Sequence, residues 1–389
     1  MPRLIFMTDF SESYAIGILQ GILEYSRHNS PWVVCKMPLS IRDKYGIVEV
    51  VNFAKRWKAD AIIGQFLDTD DVSLFRKNGI IAIAQDYQSK FTNIPCITGE
   101  YVRSGYIGAD FFIERGYRNF AFYGLKGMVW SDERRRGFCE EIGRKVENPT
   151  INIQESIDLV NTWWYDISVL TSWLKSLPKP VAILACDDSR AYHIIEACQQ
   201  DSSLKIPEEI AVLGIDNDES VCLLSSPQLS SLSQDTKQAG YDTAKMIDEA
   251  MMLPLDKRFD AVHDIIAKVT FITTRDSTDA FQHSNKVISR VLTFINQNIG
   301  NRISVSDVVS VAGMSRRSLE TTFKKEIGIS VYQYILKIKV KRMTELFRQG
   351  YSISEVAQAL DYDDLKSMSR TFKHYVGLTF SEFIERNVR

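Results

Sequence analysis

SVSDVVSVAGMSRRSLETTFKKEIGIS (304–330) and SISEVAQALDYDDLKSMSRTFKHYVGLT (352–379) are two copies of one unit. Phe323, Lys324 and Gly328 recur as Phe372, Lys373 and Gly377 at an offset of 49. Asp307 and Val308 recur as Glu355 and Val356 at an offset of 48, so the second turn carries one extra residue. A repeat of this length marks a supersecondary element and not a coincidence of composition. Each copy reads as a short helix, a tight turn and a second helix rich in Lys and Arg, which is the pattern of a helix-turn-helix. Two in tandem predict a DNA-binding module.

The spacing assigns faces. In the first unit Val308, Val309 and Ala312 turn inward, Gly313 supplies a permissive turn, and Ser315 is placed to cap the helix 316–327. Leu319, Phe323 and Ile327 are the buried stripe of that helix, with Arg317, Glu320, Thr321 and Lys324 on the other side. In the second unit Asp363 or Asp364 caps the helix 365–375, and Met368, Phe372 and Val376 face inward. Lys366, Ser367 and Arg370 face outward, with Lys373 and His374 toward the end. Arg can take two acceptors on guanine and Glu can accept from a cytosine amino group. Lys324 and Lys325, further along, suit phosphates. The intervening helix 331–347 would span about 25 Å at 1.5 Å per residue. That suits two recognition helices held about 34 Å, one DNA turn, apart.

Charge divides the chain the same way. The net charge of −2 hides 17 Lys and Arg against 10 Asp and Glu from Ser284 onward, a net of +7 that leaves the remainder at −9. A basic end on an acidic body is what phosphate binding by that end requires.

Upstream, short apolar strands alternate with helical stretches. RLIFM (3–7), PWVVCK (31–36), DAIIGQF (60–66), GIIAIA (79–84), CITG (96–99), NFAFYGL (119–125), PVAILAC (180–186) and EIAVLGID (209–216) are the strands. Helices are expected at 14–28, 48–58 and 101–115. Continuously apolar strands spaced by helices belong to parallel sheets covered on both faces, and the length implies two lobes. Ligands bind beyond the carboxyl ends of such strands. That rule gathers Asp9–Ser11, Gln65, Gln85–Asp86, Glu100, Asp187–Asp188 and Asp216 at one cleft. The polar stretch TTRDSTDAFQHSNK (273–286) ends the alternation. The expected division is a sensing and dimerising body at 1–277, a linker at 278–286 and a DNA-binding domain at 287–389.

Other chemistry is missing from the sequence. There is no HExxH, no GxxxxGK[ST] and no GxGxxG after a strand, the five histidines are scattered, and none of the six cysteines forms a CxxC. No metal or cofactor is expected. No run approaches eighteen apolar residues, and MPRLIFMTDF lacks a signal peptide's apolar core, so no membrane contact and a cytoplasmic location are expected.

The segment 287–389, through VAGMSRRSLETTFKKEIGISVYQYI and SISEVAQALDYDDLKSMSRTFKHYVGLTFSEF, resembles the DNA-binding domain of the AraC-type regulators. By position the resemblance puts base-edge roles on Arg317, Glu320 and Thr321, and on Leu365, Lys366 and Arg370. Asp361, Met368 and Phe380 depart from that family's usual Gly, aromatic and Pro. The α/β part resembles the two-lobed sugar-binding body of periplasmic sugar receptors and of lactose-repressor-like regulators. The combination is similar throughout to the xylose-type operon regulators of enteric bacteria, including RNFAFYGL, LGIDNDE and RDSTD.

That resemblance implies pocket roles for Arg134 in SDERRRGF, Asp187 in ACDDSRA, Asp216 in LGIDNDE and Trp163 in TWWYD. Tyr14, Glu100 and Gln234 are further candidates at strand ends or lobe crossings. Carboxylates and Arg bind sugar hydroxyls, and an indole covers the C–H face of the ring. Asp188 could replace Asp187, and Trp164 or Trp130 could replace Trp163. The expected function is a pentose-responsive activator, D-xylose favoured over L-arabinose, acting as a homodimer on tandem DNA sites and meeting RNA polymerase. A sugar-processing enzyme with a DNA-binding tail, or a constitutive DNA binder whose body only dimerises, are the alternatives.

Overall fold

In a computed structural model that describes residues 1–156, 165–282 and 285–387, the chain forms two α/β lobes and a helical domain. Lobe one opens with β1 (Arg3–Thr8), α1 (Ser13–His28), β2 (Val33–Pro38), α2 (Leu39–Trp57), β3 (Ala61–Gly64), α3 (Ser73–Lys77), β4 (Ile81–Gln85) and β5 (Cys96–Gly99). Helix α4 (Tyr101–Glu114) leads into lobe two: β6 (Asn119–Leu125), α5 (Val129–Lys145), β7 (Thr150–Ser156), α6 (Ile167–Ser176), β8 (Val181–Ala185), α7 (Asp188–Gln200), β9 (Ile210–Ile215), α8 (Glu219–Leu224) and β10 (Ser230–Gln234). The chain returns to lobe one through α9 (Thr236–Met251), α10 (Leu255–Arg258) and β11 (Ile265–Ala267), then crosses back as β12 (Val269–Thr273).

The sheet orders are β11-β5-β4-β3-β1-β2 and β12-β10-β9-β8-β6-β7. All pairs are parallel except β10 with β12. Alternation along each strand feeds two cores. Leu4 and Phe6 of β1 join Ile18 and Ile22 of α1 on one face. Ile5 and Met7 join Val50, Ala54 and Phe75 on the other. Strands buried on both faces need no polar alternation, which is why the apolar runs were readable.

Three short crossings hinge the lobes, and they are tied to one another. Glu100 N donates to Ala267 O (3.2 Å) and Asp235 N to Lys268 O (2.8 Å). The Glu100 carboxylate accepts from Val269 N at 2.9 Å. In lobe two, α4 and α5 approach until their backbones touch. A Cβ on Gly105 would lie 2.2 Å from Arg134 O, and one on Gly137 2.0 Å from Val102 O, so only glycine permits the pair.

The helical domain comprises α11 (Lys286–Gln297), α12 (Val305–Ala312), α13 (Arg316–Ile327), α14 (Val331–Arg348), α15 (Ile353–Ala359), α16 (Leu365–Val376) and α17 (Phe380–Asn387). Ser304 with Asp307 and Ser352 with Glu355 form matching capping boxes. Ser315 caps α13, and Asp364, not Asp363, caps α16. Asp363 pairs instead with Arg302 at 2.8 Å. The two units keep separate cores, Leu319 and Phe323 in one, Met368 and Phe372 in the other. Helix α14 serves both.

The sequence did not announce four of the strands, β7, β10, β11 and β12. The plainest case is SSLSQ, where β10 runs. Its serines are buried but bonded: Ser231 Oγ donates to Asp188 Oδ1 (2.5 Å), and Ser230 Oγ lies 2.7 Å from Thr278 Oγ1. The polar stretch between the body and the helical domain makes contacts with both. Ser277 Oγ donates to Val212 O (2.7 Å), Gln282 N donates to Arg115 O (2.7 Å), and Phe281 is buried in the core of the first helical unit.

Candidate ligand cleft and nucleic-acid interface

The carboxyl ends of the strands in both lobes face one cavity of about 270 Å³. Ligand cavities commonly run from about 300 to 1,000 Å³, so this one suits a single small ring. Lobe one contributes Asp9, Glu12, Tyr14 and Asp86, the first residue of α4 contributes Tyr101, and lobe two contributes Trp130, Arg134, Asp187, Arg190 and Asp216.

Arg134 is the centre of the arrangement. It is 2% exposed; its guanidinium donates to Cys186 O (2.5 Å) and to Asp216 Oδ1 (3.0 Å). Its carbon lies 5.4 Å from the ring centroids of both Tyr101 and Trp130. Burial opposes its charge, but Asp216, Tyr101 and other neighbours outweigh burial and hold its pKa above the ordinary value. Trp130 and Arg134 stand four residues apart, one turn of α5, and so face the same space.

Asp216 follows β9 with φ at 104°, a conformation rare outside glycine. Such strain persists where surrounding contacts over-determine it and clusters at binding sites. Here Asp216 N donates to Leu232 O (2.8 Å), while Gln234 Nε2 and Arg134 hold the carboxylate at 2.6 and 3.0 Å. Burial raises the Asp216 pKa against the pull of Arg134.

Asp187 caps α7, accepting from Arg190 N (2.8 Å) and pairing with the Arg190 guanidinium (3.0 Å). Its neighbour Asp188 is committed elsewhere, to Ser231 Oγ and Asp218 N (2.6 Å). Several polar atoms of the cavity wall are buried without a partner: Tyr14 Oη, Asp86 Oδ1 and Arg134 Nε. Buried polar groups are normally satisfied, so donors and acceptors left open around a cavity fit a polyhydroxylated guest.

Of the residues expected at the site, the structure brings Tyr14, Arg134, Asp187 and Asp216 to the cavity wall. Gln234 stands behind Asp216 and positions it. Glu100 does not line the cavity; its carboxylate is held by Val269 N and Arg103 (3.1 Å) in the hinge. Trp163 lies outside the described residues, and Trp130 supplies an indole at the wall. Glu12 and Tyr101 were not foreseen, and Asp86 was placed only by its strand end. Burial, then Asp9 and Asp187, lift the Glu12 carboxyl to about 8. Position just past a strand or at a helix start was the only signal for these three.

In the helical domain, Arg317 and Lys324 of α13 and Leu365, Lys366, Arg370 and Lys373 of α16 are exposed. Glu320 is engaged, since its carboxylate accepts from Val331 N (3.3 Å) at the start of α14. Thr321 Oγ1 donates to Arg317 O (2.9 Å). Asp361, where the related turn usually has Gly, has φ at 49°, so it adopts the glycine-like conformation that Asp tolerates. No metal-holding group of His, Cys, Asp and Glu occurs among the described residues. No helix among them is long and apolar enough to cross a membrane.

A hinged two-lobed body with a cleft between its lobes, joined to tandem helix-turn-helix units, has the architecture of a transcription regulator with a sensor body. Comparison with known proteins agrees. Residues 109–278 match the periplasmic binding protein-like domain family, and residues 308–386 match the helix-turn-helix domain family. The chain is 28% identical to the xylose operon regulatory protein of Haemophilus influenzae over 390 residues, covering 98% of this chain and 97% of that one. It is 26% identical to the protein of that name from Escherichia coli over 400 residues, covering 99% and 97%. Among solved structures, the xylose-binding transcription activator xylR matches with a TM-score of 0.55 at 25% identity, covering 99% and 98% of the two chains. The chain is thus similar over nearly all of its length to proteins named xylose operon regulatory protein.

Proposed function

We propose that this protein is a sugar-gated transcriptional activator in which a pentose, D-xylose before L-arabinose, closes the cleft and changes how the C-terminal domain meets DNA. One observation carries the reading. Arg134, Asp216 and Asp187 converge with an indole and with unpartnered Tyr14 and Asp86 atoms of the facing lobe in a cavity sized for one ring. Full-length likeness to proteins named for the xylose operon supports the choice of sugar. The working division is residues 1–277 for sensing and dimerisation, 278–286 as connection and 287–389 for DNA. Arg317, Lys366 and Arg370 read base edges; Lys324 and Lys373 hold phosphates. The regulator works in the cytoplasm as a homodimer on tandem sites, where it meets RNA polymerase.

Titration calorimetry of the full chain with D-xylose, L-arabinose and D-glucose tests this reading. Saturable heat with D-xylose, weaker with L-arabinose and absent with glucose, is expected. No heat with any pentose contradicts it.

A further inference from the structure

Helix α4 starts in the cleft and ends at the DNA-binding domain. Tyr101, its first residue, lines the cavity, and Arg115 follows its last turn. Its 14 residues span about 21 Å. The glycine contacts bind α4 rigidly to α5, which carries Trp130 and Arg134 into the same cavity. A single two-helix unit therefore has ligand-facing residues at one end and Arg115 at the other.

The far end is a junction between domains. Arg115 is 6% exposed, and its guanidinium lies 3.5 Å from the ring centroid of Phe111 and 5.2 Å from that of Phe281. Among the described residues no carboxylate lies within 4 Å of it, and its Nε has no partner. Its Nη1 donates to Phe111 O at 3.4 Å, and cation–ring attraction, strengthened by burial, adds to that contact. The backbone adds a second fastening, Gln282 N to Arg115 O. Phe281 belongs to the core formed by Ile288, Val291, Leu319 and Phe323. Lys341 of α14 reaches the Phe111 ring at 5.7 Å. Beside the junction a cavity of about 470 Å³, walled by Arg115, Asp279, Gln297, Lys341 and Glu345, leaves the seam between the domains unfilled.

We propose that Arg115 is the clasp that makes the DNA-binding domain travel with the α4–α5 unit of lobe two when the cleft closes. The inference rests on the sugar-gated reading and supplies its route. Closure swings lobe two about the crossings at Glu100, Asp235 and Lys268. The clasped domain swings with it, so the ligand's preference for the closed form becomes a preference for one placement of α13 and α16. Without the guanidinium the peptide connection and the Gln282 N to Arg115 O bond remain, but they no longer fix one orientation across the open seam.

The test compares the full-length wild type with Arg115→Ala and with Arg115→Met, which keeps the stem and removes the charge. Each is titrated with D-xylose by calorimetry. Each is then assayed, with and without D-xylose, on a duplex selected from a random pool by the wild type in the presence of sugar. Both variants are expected to keep sugar affinity and sugar-free DNA affinity within about threefold, while the sugar-induced change in DNA affinity falls from about tenfold or more to below about twofold. Full retention of the sugar response by either variant overturns the clasp. Absence of D-xylose binding by the wild type overturns the sugar reading and the route built on it. Small-angle scattering without sugar gives a separate readout: a broader range of interdomain distances is expected in both variants, and profiles identical to wild type overturn the clasp.

Discussion

Asp216 lines the cavity in a strained backbone conformation, with Arg134 and Gln234 donating to its carboxylate. Charge-assisted hydrogen bonds contribute roughly 1.5–3 kcal/mol each. Loss of two sugar hydroxyl bonds in Asp216→Ala should therefore weaken D-xylose binding by about two orders of magnitude or more, with sugar-free DNA binding near normal. Calorimetry on the variant checks this, and an unchanged dissociation constant removes Asp216 from the site. Glu12 gives a pH signature. Its carboxyl is raised from 4.5 to about 8, so across that window the folded chain binds more protons than the unfolded one. Stability then falls as pH rises from about 4.5 to 8. Melting temperatures of wild type and Glu12→Gln across pH 5–8.5 should show a steeper decline in wild type; parallel curves remove Glu12 as the source. On the DNA side, Arg317→Ala and Arg370→Ala should each lose about 1–3 kcal/mol on the selected duplex and relax base preference there. Lys324→Ala should weaken all sequences and flatten the salt dependence. Equal losses on selected and random DNA for the Arg variants contradict base reading.

Elements show how far the sequence could be read. The strands at 96–99 and 119–125 and the helix at 316–327 match their expected bounds, because two-sided burial and a Ser cap leave plain local signals. Strand β10 was invisible because its residues bond sideways: the buried Ser230 and Ser231 brace Thr278 and Asp188. The indole at the described wall is Trp130, whose neighbour on α5 is Arg134. Helical spacing could have linked them, but nothing local says which face of α5 meets the cleft. In the connection 278–286, polarity hides one buried ring, Phe281. A prediction follows from that ring. A fragment beginning at Thr278 should fold alone and bind DNA without responding to sugar. One beginning at Ser284 should be less stable by about 3 kcal/mol, the low end of the loss on removing a buried Phe. Chemical denaturation of both fragments checks this, and equal stabilities show that Phe281 is dispensable to the helical core.

At the scale of the whole molecule, a hinged sensor and a DNA reader share one chain, and the ligand can act on the reader only through differential affinity for two arrangements. The acidic body and the basic C-terminal end keep the two tasks electrostatically apart. Allosteric couplings of this kind are commonly about 1–3 kcal/mol, a change of roughly 5- to 150-fold in affinity. The most direct measurement is the affinity of the full-length protein for its selected duplex at saturating D-xylose and without sugar, at fixed salt. The account predicts binding about tenfold or more tighter with sugar. Equal affinities in the two conditions, with calorimetry showing the sugar bound, would contradict it.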